Sequence, residues 1–382
     1  PKPNLAWKDH LLITGSEAMG LGLIHAGCRV YCGYPMTPSS PLLTYIAGMQ
    51  NKTGMVIKQA EDEITAAQMM SGAMHMGTRA ATGTSGGGFD LMTETLSLDA
   101  IIENPSVFIL AQRPGPATGL PTWTAQGDLL LAVGSAHGEF ARCVLAVSDA
   151  QDCYDLMPDA FNIAEKYQTP VIVMTDKQIA EALFTQKPYD QKKARLDRGN
   201  LVTDPKTLKK LKSTDRYDPN AKDGISPRWL PGAEAATYCA QGDEHNGDGS
   251  VDESAKNAVE QMEKRLRKMK ALEREVAEPV LMKIENGELR IENKDADLDL
   301  LVVSWGSNKG VILDALKGAK GKVGYLHYTY LWPMKTERLE KLMSKAKRTV
   351  LVECNHSGQL GQIIQMTGGP AIKEKILKYD GR

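Results

Sequence analysis

A single carboxylate heads the apolar stripe of one predicted helix. In residues 62–76, one helical face is shared by Glu63, Ala66, Ala67, Met70 and Met74. Because apolar surroundings disfavour the charged form of a carboxylate, Glu63 should hold a proton more readily than an exposed glutamate. Such a group can share a proton with a nitrogen of a heterocyclic ring. The alternative is a glutamate that only stabilises the helix start through the helix dipole, and periodicity leaves both open.

Two further polar side chains follow predicted strands. Thr37 lies between Pro35 and Pro38, which hold the chain extended so that the Thr37 hydroxyl is presented from a rigid turn. Arg113 follows the strand at residues 107–112 and carries a fixed fork of donors that suits a carboxylate. Ligands of parallel sheets lie beyond the carboxyl ends of the strands, so both residues could contact one ligand. A simple capping loop at Thr37 and a surface charge at Arg113 are the alternatives.

A glycine-rich turn joins another predicted strand to a helix, and its sequence is Thr84-Ser85-Gly86-Gly87-Gly88. Glycines here allow close backbone approach and expose helix N-terminal N–H groups to an anion. The spacing matches neither the dinucleotide fingerprint nor the P-loop. Anion binding and tight strand–helix packing at a cofactor wall therefore both remain open.

The acidic loop at residues 242–249 does not fit a metal site. Gly247 occupies the place at which the calcium-loop pattern needs an oxygen ligand. A polar, turn-rich loop is the favoured interpretation. The six cysteines are scattered, and only Cys28 and Cys32 are close, which predicts neither a zinc site nor an iron–sulfur cluster in this chain.

The elements that must position these residues alternate through residues 1–185, which are predicted to form one α/β domain. Predicted strands occupy residues 11–14, 30–33, 56–59, 80–84, 107–112, 142–146 and 171–175. Predicted helices occupy residues 16–26, 62–76, 89–102 and 151–167, the first with Ser16 as N-cap and Gly27 as its stop. This alternation is typical of a parallel sheet covered on both faces.

The pattern changes after residue 185. Residues 186–296 are predicted to be a connector with an irregular part, a charged helix at 253–276 and a hairpin around Asn286-Gly287. The helix places Glu260 and Lys264, and also Glu263 and Arg267, at i,i+4 spacing. A solvated connector helix and an arm that contacts another subunit are both open.

Alternation then resumes, and residues 297–382 are predicted to form a smaller α/β domain. Its predicted strands occupy residues 300–304, 323–327 and 350–353, and its predicted helices occupy residues 308–316, 336–346 and 359–366.

Bulk properties exclude several classes of protein. The formal net charge of −1 gives no global field that would favour nucleic acid or an anionic membrane. No apolar run approaches the roughly 20 residues of a membrane helix, and the start at Pro1 does not resemble a signal peptide. Scattered cysteines predict a reducing compartment, so a cytoplasmic protein is expected.

Together these segments resemble the alpha subunit of the 2-oxoacid:ferredoxin oxidoreductases, most closely the 2-oxoglutarate type. The resemblance covers essentially the whole chain. Its motifs in the first domain are Gly33-Tyr34-Pro35-Met36-Thr37-Pro38 (with Met where Ile is usual), Glu61-Asp62-Glu63, Thr84-Ser85-Gly86-Gly87-Gly88-Phe89, and Gln112-Arg113 through Gly119-Leu120-Pro121-Thr122. Later motifs are Asp223-Gly224-Ile225-Ser226-Pro227-Arg228, Gly242-Asp243-Glu244-His245, Val352-Glu353, and Asn355 with Gly358-Gln359-Leu360.

The resemblance implies a fold and roles for individual residues. The fold would be a thiamine-diphosphate pyrimidine-binding-type doubly wound parallel sheet, followed by a smaller α/β domain like the transketolase C-terminal domain. Glu63 would hydrogen-bond the aminopyrimidine of thiamine diphosphate and promote ylid formation. Thr37 and Arg113 would bind the oxo-carboxylate end of the substrate, and Thr122 falls in a motif near the same pocket.

The resemblance also implies partners. No segment for the magnesium-diphosphate end of the cofactor and no cluster-binding cysteine set is found here. In the family, magnesium and the [4Fe-4S] cluster lie on a beta subunit, so the active site should form between chains of an (alpha-beta)2 assembly. Many relatives also carry an N-terminal gamma-like domain, which here would be separate, cleaved or absent.

The family reaction is the oxidative decarboxylation of a 2-oxoacid with coenzyme A, which yields acyl-CoA (succinyl-CoA from 2-oxoglutarate), CO2 and reduced ferredoxin, and which many members also run in reverse. Alternatives are the same enzyme class acting on pyruvate or on branched or aromatic 2-oxoacids, and a non-catalytic scaffolding paralogue. The survival of Glu63, Thr37 and Arg113 argues against the paralogue.

Overall fold

The computed structural model describes residues 7–192, 195–285, 288–292 and 297–381. In the first part of the chain the elements are β1 (Leu11–Thr14), α1 (Gly15–His25), β2 (Val30–Gly33), α2 (Ser40–Thr53), β3 (Val56–Gln59), α3 (Glu63–His75), β4 (Ala80–Thr84), α4 (Gly86–Ile101), β5 (Ser106–Gln112), α5 (Leu129–Gly134), β6 (Cys143–Ala146), α6 (Ala150–Tyr167), β7 (Pro170–Asp176), α7 (Lys177–Glu181) and β8 (Leu183–Gln186). The later elements are α8 (Pro205–Leu208), α9 (Ala255–Glu275), β9 (Val280–Glu285), β10 (Glu288–Glu292), β11 (Leu300–Trp305), α10 (Asn308–Leu316), β12 (Val323–Tyr328), β13 (Tyr330–Trp332), α11 (Glu337–Lys345), β14 (Thr349–Glu353), α12 (Gln359–Met366) and β15 (Glu374–Leu377).

The larger sheet has seven strands in the order β13-β6-β7-β5-β4-β2-β3. All neighbouring strands are parallel except β13, which pairs antiparallel with β6. Strands β4, β5, β6 and β7 are buried throughout, as the continuous apolar runs predicted. Because β5, β4, β2 and β3 are neighbours, the segments that follow them meet at one edge of the sheet.

The first predicted strand exists but does not join this sheet. β1 pairs antiparallel with β8 in a separate two-stranded ribbon. Leu11 and Leu12 are exposed and only Ile13 is buried. A strand inside a parallel sheet would bury both of its faces, so this half-exposed strand fits an outer ribbon instead.

The predicted N-cap of α1 is wrong by two residues. Thr14 caps the helix, because its Oγ1 accepts a hydrogen bond from Glu17 N (3.2 Å) while Glu17 Oε2 accepts one from Thr14 N (2.8 Å). This reciprocal pair is a capping box, which places Ser16 inside the helix. The predicted stop is confirmed, since Gly27 follows the helix with φ +77°.

The predicted ion pairs within the charged helix are also wrong. On α9, Lys264 and Lys268 are buried, and both form ion pairs with the buried Glu103. Glu103 lies just beyond the C-terminal end of α4. Arg267 donates to the carbonyl oxygen of Pro219. The helix therefore packs a polar face on the larger unit, and the expectation of a solvated connector helix is not met.

The smaller sheet has six strands in the order β10-β9-β12-β11-β14-β15. The neighbouring strands β12, β11, β14 and β15 are parallel. Strands β10 and β9 form the predicted hairpin, and β9 pairs antiparallel with β12. The turn residues Asn286 and Gly287 lie outside the described residues. The hairpin thus belongs to the smaller sheet, because Met282 and Val280 pack in its core with Tyr325.

Across the described ranges, none of the helices combines the length and the apolar character needed to cross a membrane. The six cysteines are free thiols, four of them buried.

Candidate active site

Glu63 begins α3 and is almost fully buried. The helix starts here because the side chain of Asp62 accepts a hydrogen bond from Thr65 N (2.7 Å). The stripe predicted from the sequence is confirmed, since all five of its members are buried, with Glu63 only 3% exposed. Its Oε1 atom is buried and has no hydrogen-bond partner among the described residues. A buried oxygen without a partner is costly, so Oε1 is available for a hydrogen bond with a bound ligand.

The glycine-rich turn packs directly against this carboxylate. A Cβ atom at Gly88 would lie 2.0 Å from Thr84 Oγ1 and 2.6 Å from Glu63 Oε1, so no side chain fits there. A Cβ atom at Gly86 would lie 2.8 Å from Asp128 Oδ2. The first turn of α4 is thus faced by two carboxylates of the chain itself. This arrangement supports tight packing at a cofactor wall and disfavours the anion-binding interpretation.

The structure brings Thr37 and Arg113 together. Arg113 Nη1 donates a hydrogen bond to the carbonyl oxygen of Thr37 (2.6 Å), and both residues are half-buried. The preceding residue, Met36, accepts a hydrogen bond at its sulfur from Thr84 Oγ1 (3.7 Å). Because the Gly88 turn connects Thr84 to Glu63, one continuous set of contacts runs from Arg113 to Glu63.

The strand order explains this convergence. The Thr37 loop follows β2, Glu63 follows β3, the Thr84–Gly88 turn ends β4, and Arg113 follows β5, and these strands are neighbours in the sheet. Carboxyl ends of parallel strands meet at one edge, which is where such sheets hold their ligands. The arrangement places an unpartnered carboxyl oxygen and a guanidinium group at the same edge of the sheet.

Thr122 is placed differently from the other predicted residues. It is exposed, further along the segment that Arg113 begins. Among the described residues, no hydrogen bond joins Thr122 to Thr37, Glu63 or Arg113. Its contribution to the substrate pocket stays a prediction.

Sequence reasoning missed Asp128, the second carboxylate beside the glycine-rich turn. Burial and the charge of Asp90 raise the pKa of Asp128 to about 6, although the guanidinium of Arg113 acts to lower it. The only signal was an aspartate before the run Leu129-Leu130-Leu131, which resembles an ordinary helix cap. Yet the side chain makes no capping hydrogen bond to α5.

Gln126 was also missed, and it connects this segment to the smaller sheet. It is fully buried; its Nε2 donates to the carbonyl oxygen of Trp305 (2.9 Å), and its Oε1 accepts from Cys354 N (3.0 Å) and from Asn308 Nδ2 (2.7 Å). Trp305 ends β11 and Cys354 follows β14. The two strands that flank β11 are β12 on one side and β14 on the other, so the order of the strands reverses at β11. Such a switch point is where parallel sheets usually bind ligands, and here the crevice holds Gln126.

The acidic loop at residues 242–249 is used for packing. Arg265 donates from Nη1 and Nη2 to the two carboxylate oxygens of Glu244 (2.9 and 2.6 Å), and His245 is buried with its Nδ1 atom 3.0 Å from the carbonyl oxygen of Asp243. Within the part of the chain that the structure describes, no group of three or more His, Cys, Asp and Glu side chains could hold a metal ion.

Comparison with known proteins gives a consistent result. Residues 21–264 match the family model described as pyruvate flavodoxin/ferredoxin oxidoreductase, thiamine diphosphate-binding. The chain is 35% identical to the alpha subunit of 2-oxoacid:ferredoxin oxidoreductase 1 of Sulfurisphaera tokodaii over 397 aligned residues, which cover 100% of this chain and 60% of that protein. It is 31% identical to 2-oxoglutarate synthase subunit KorA of Methanocaldococcus jannaschii, with 92% of this chain and 89% of that protein covered.

A solved structure agrees with these relatives. The 2-oxoglutarate:ferredoxin oxidoreductase from Magnetococcus marinus, with 2-oxoglutarate, coenzyme A and succinyl-CoA bound, superposes with a TM-score of 0.89 at 30% identity, over 100% of this chain and 64% of that one. The chain therefore spans about 60% of the length of several relatives that it matches.

Proposed function

The chain belongs to the thiamine diphosphate-binding pyruvate flavodoxin/ferredoxin oxidoreductase family, and from this premise we propose that it is the alpha subunit of a 2-oxoacid:ferredoxin oxidoreductase that acts on 2-oxoglutarate. The observation that carries the proposal is the convergence of Glu63, Thr37 and Arg113 at the carboxyl edge of the larger sheet. The relatives named 2-oxoglutarate synthase and the structure with bound 2-oxoglutarate support this choice of substrate.

The residues present fit thiamine diphosphate. Its aminopyrimidine ring has a nitrogen, N1′, that needs an acid with which to share a proton. Glu63 Oε1 is a buried carboxyl oxygen without a partner, at the edge of the sheet where a ligand would lie. Gly88 lets the start of α4 pack directly against this oxygen, because a Cβ atom at this position would lie 2.6 Å from Glu63 Oε1.

Glu63 would act by holding a proton at N1′. When bound, thiamine diphosphate would supply the nucleophilic carbon and the electron sink that decarboxylation of a 2-oxoacid needs. The buried position of Glu63 keeps water from replacing it as the proton partner, so the proton stays between the carboxyl group and N1′.

Arg113 and Thr37 would orient the substrate. The hydrogen bond from Arg113 Nη1 to Thr37 O fixes one edge of the guanidinium group, which leaves its other donors for a carboxylate. The Thr37 hydroxyl lies on the same loop and could donate to the 2-oxo group. This pairing selects a substrate that carries a carboxylate next to a carbonyl.

A second subunit completes the proposed enzyme. Three large apolar side chains around the site are exposed: Tyr34 (37%), Ile64 (48%) and Leu91 (48%). Such a group at the rim of a site suits a surface that another protein covers. We assign this role to a beta subunit that carries magnesium, the diphosphate end of thiamine diphosphate and the [4Fe-4S] cluster, with coenzyme A as co-substrate and ferredoxin as electron acceptor.

The test is turnover by the purified assembly. A panel of 2-oxoacids is supplied with coenzyme A and thiamine diphosphate, and reduction of ferredoxin or of a viologen dye is followed. We expect 2-oxoglutarate to give the highest kcat/KM and the chain without its partner to reduce no dye. A preference for pyruvate or a branched 2-oxoacid would contradict the substrate, and an assembly that turns over none of them would contradict the function.

A further inference from the structure

Asp128 is a second carboxylate with an unused oxygen beside the glycine-rich turn. Although it precedes α5, its side chain is turned away from that helix and lies against Gly86 at the start of α4. Its Oδ2 atom is buried and has no hydrogen-bond partner among the described residues. Glu63 borders the same turn at Gly88, so the two carboxylates occupy opposite ends of one short segment.

The backbone of Asp128 is also tied to the strand end that carries Arg113. Its backbone N donates to Gln112 Oε1 (3.1 Å), and Gln112 is the residue before Arg113. The charged groups that act on Asp128 are Arg113, whose guanidinium favours the carboxylate, and Asp90 on α4, whose charge disfavours it. Because burial and Asp90 dominate, the pKa of Asp128 is about 6.

We propose that Asp128 sets the affinity for the 2-oxoacid by acting as the resident counter-charge of Arg113. This inference rests on the proposed function, in which Arg113 binds the carboxylate next to the 2-oxo group. When Asp128 is ionised, it partly neutralises Arg113 and repels an incoming carboxylate. When Asp128 is protonated, Arg113 exerts its full field, and the carboxyl group can itself donate a hydrogen bond.

The consequence is a pH-dependent KM. Charges that interact within a partly buried site change an affinity by about ten-fold or more. The KM for the 2-oxoacid should therefore rise as the pH increases through about 6 and level off above that range. The substrate carboxylate next to the 2-oxo group stays ionised throughout, so the inflection belongs to the protein.

Two variants of the assembled enzyme test this proposal between about pH 5.5 and 8. Asp128→Asn keeps the shape of the side chain, and it should lower KM by about ten-fold at the upper end of that range and remove the inflection, with kcat changed much less. Asp90→Asn leaves Asp128 in place and should shift the inflection to lower pH, because the charge that raises the pKa of Asp128 is gone. A residue with a purely structural role would not move the inflection.

A binding measurement separates this proposal from the proposed function. Oxamate resembles the oxo-carboxylate end of a 2-oxoacid and is not decarboxylated, so its Kd can be measured by calorimetry on the same assembly. We expect its pH dependence to match that of KM and to vanish in Asp128→Asn. If the enzyme turns over 2-oxoacids but Asp128→Asn keeps the inflection, or if Asp90→Asn fails to shift it, the role of Asp128 is overturned while the proposed function stands. If no 2-oxoacid is turned over, the proposed function itself fails.

Discussion

Replacing Glu63 by glutamine isolates the proton-sharing role of one carboxyl group. The substitution keeps the size of the side chain and its place on the buried stripe, but an amide cannot exchange the proton. Positioned proton transfer contributes about 10²- to 10⁴-fold to a rate. Because Glu63 is only 3% exposed, water cannot substitute for the lost acid, so we expect turnover to fall by about 10³- to 10⁴-fold. KM and subunit assembly should change little, since the proposed substrate contacts lie on Thr37 and Arg113.

Asp62→Asn is the matched control. Asp62 precedes Glu63, and its side chain caps α3 through Thr65 N; asparagine caps helices about as well. If Glu63 only stabilised the helix start through the helix dipole, Glu63→Gln would lower the free energy of unfolding by about 0.3–1 kcal/mol and leave turnover unchanged. Steady-state viologen reduction and urea denaturation of both variants distinguish the two cases. Near-normal turnover in Glu63→Gln, or a larger loss in Asp62→Asn, would refute the assignment.

Two further substitutions probe the packing that holds the site. Gly88→Ala should abolish most activity and lower the free energy of unfolding by about 1–3 kcal/mol, because the new methyl group collides with Thr84 and Glu63. The control Gly87→Ala should be tolerated, because no atom lies within 4 Å of a Cβ built at Gly87. Equal losses of activity in the two variants would contradict this prediction. Glu103→Gln should cost about 3–5 kcal/mol of unfolding free energy in chemical denaturation, because it leaves Lys264 and Lys268 buried without their carboxylate. The control Glu260→Gln removes only an exposed contact with Lys256 at 3.9 Å and should cost less than about 0.5 kcal/mol; a Glu103→Gln variant as stable as this control would show that the buried ion pairs contribute nothing.

Sequence patterns predicted the structure correctly where its physical cause lies within a few neighbouring residues. The stripe headed by Glu63 follows from the helical period, and the buried strands of the larger sheet follow from unbroken apolar runs. The same logic failed for β1, because a four-residue run does not reveal a partner strand about 170 residues away. It failed for Lys264 as well, since the nearby Glu260 matches i,i+4 spacing but the actual partner, Glu103, is brought in by the tertiary fold.

The candidate site residues also differ in whether neighbouring sequence or the tertiary fold reveals them. Glu63, Thr37 and Arg113 carry side chains whose chemistry is visible from their type and from the strand or helix next to them. Gln126 has no such signal, because its partners Trp305 and Cys354 lie more than 170 residues away and exist as a binding surface only after the smaller sheet has formed. Asp128 resembled a routine helix cap, and only the folded chain shows that its carboxylate faces Gly86.

The seating of Gln126 in the crevice of the smaller sheet makes the two halves of the molecule thermodynamically interdependent. The smaller unit binds the segment of the same chain that contains Gln126, and this segment begins at Arg113. A change that weakens the β11–β14 crevice should therefore also loosen the segment that carries Arg113. Recombination that exchanges the C-terminal unit between relatives must preserve this internal recognition, or the chimera loses the contacts that hold the segment carrying Arg113.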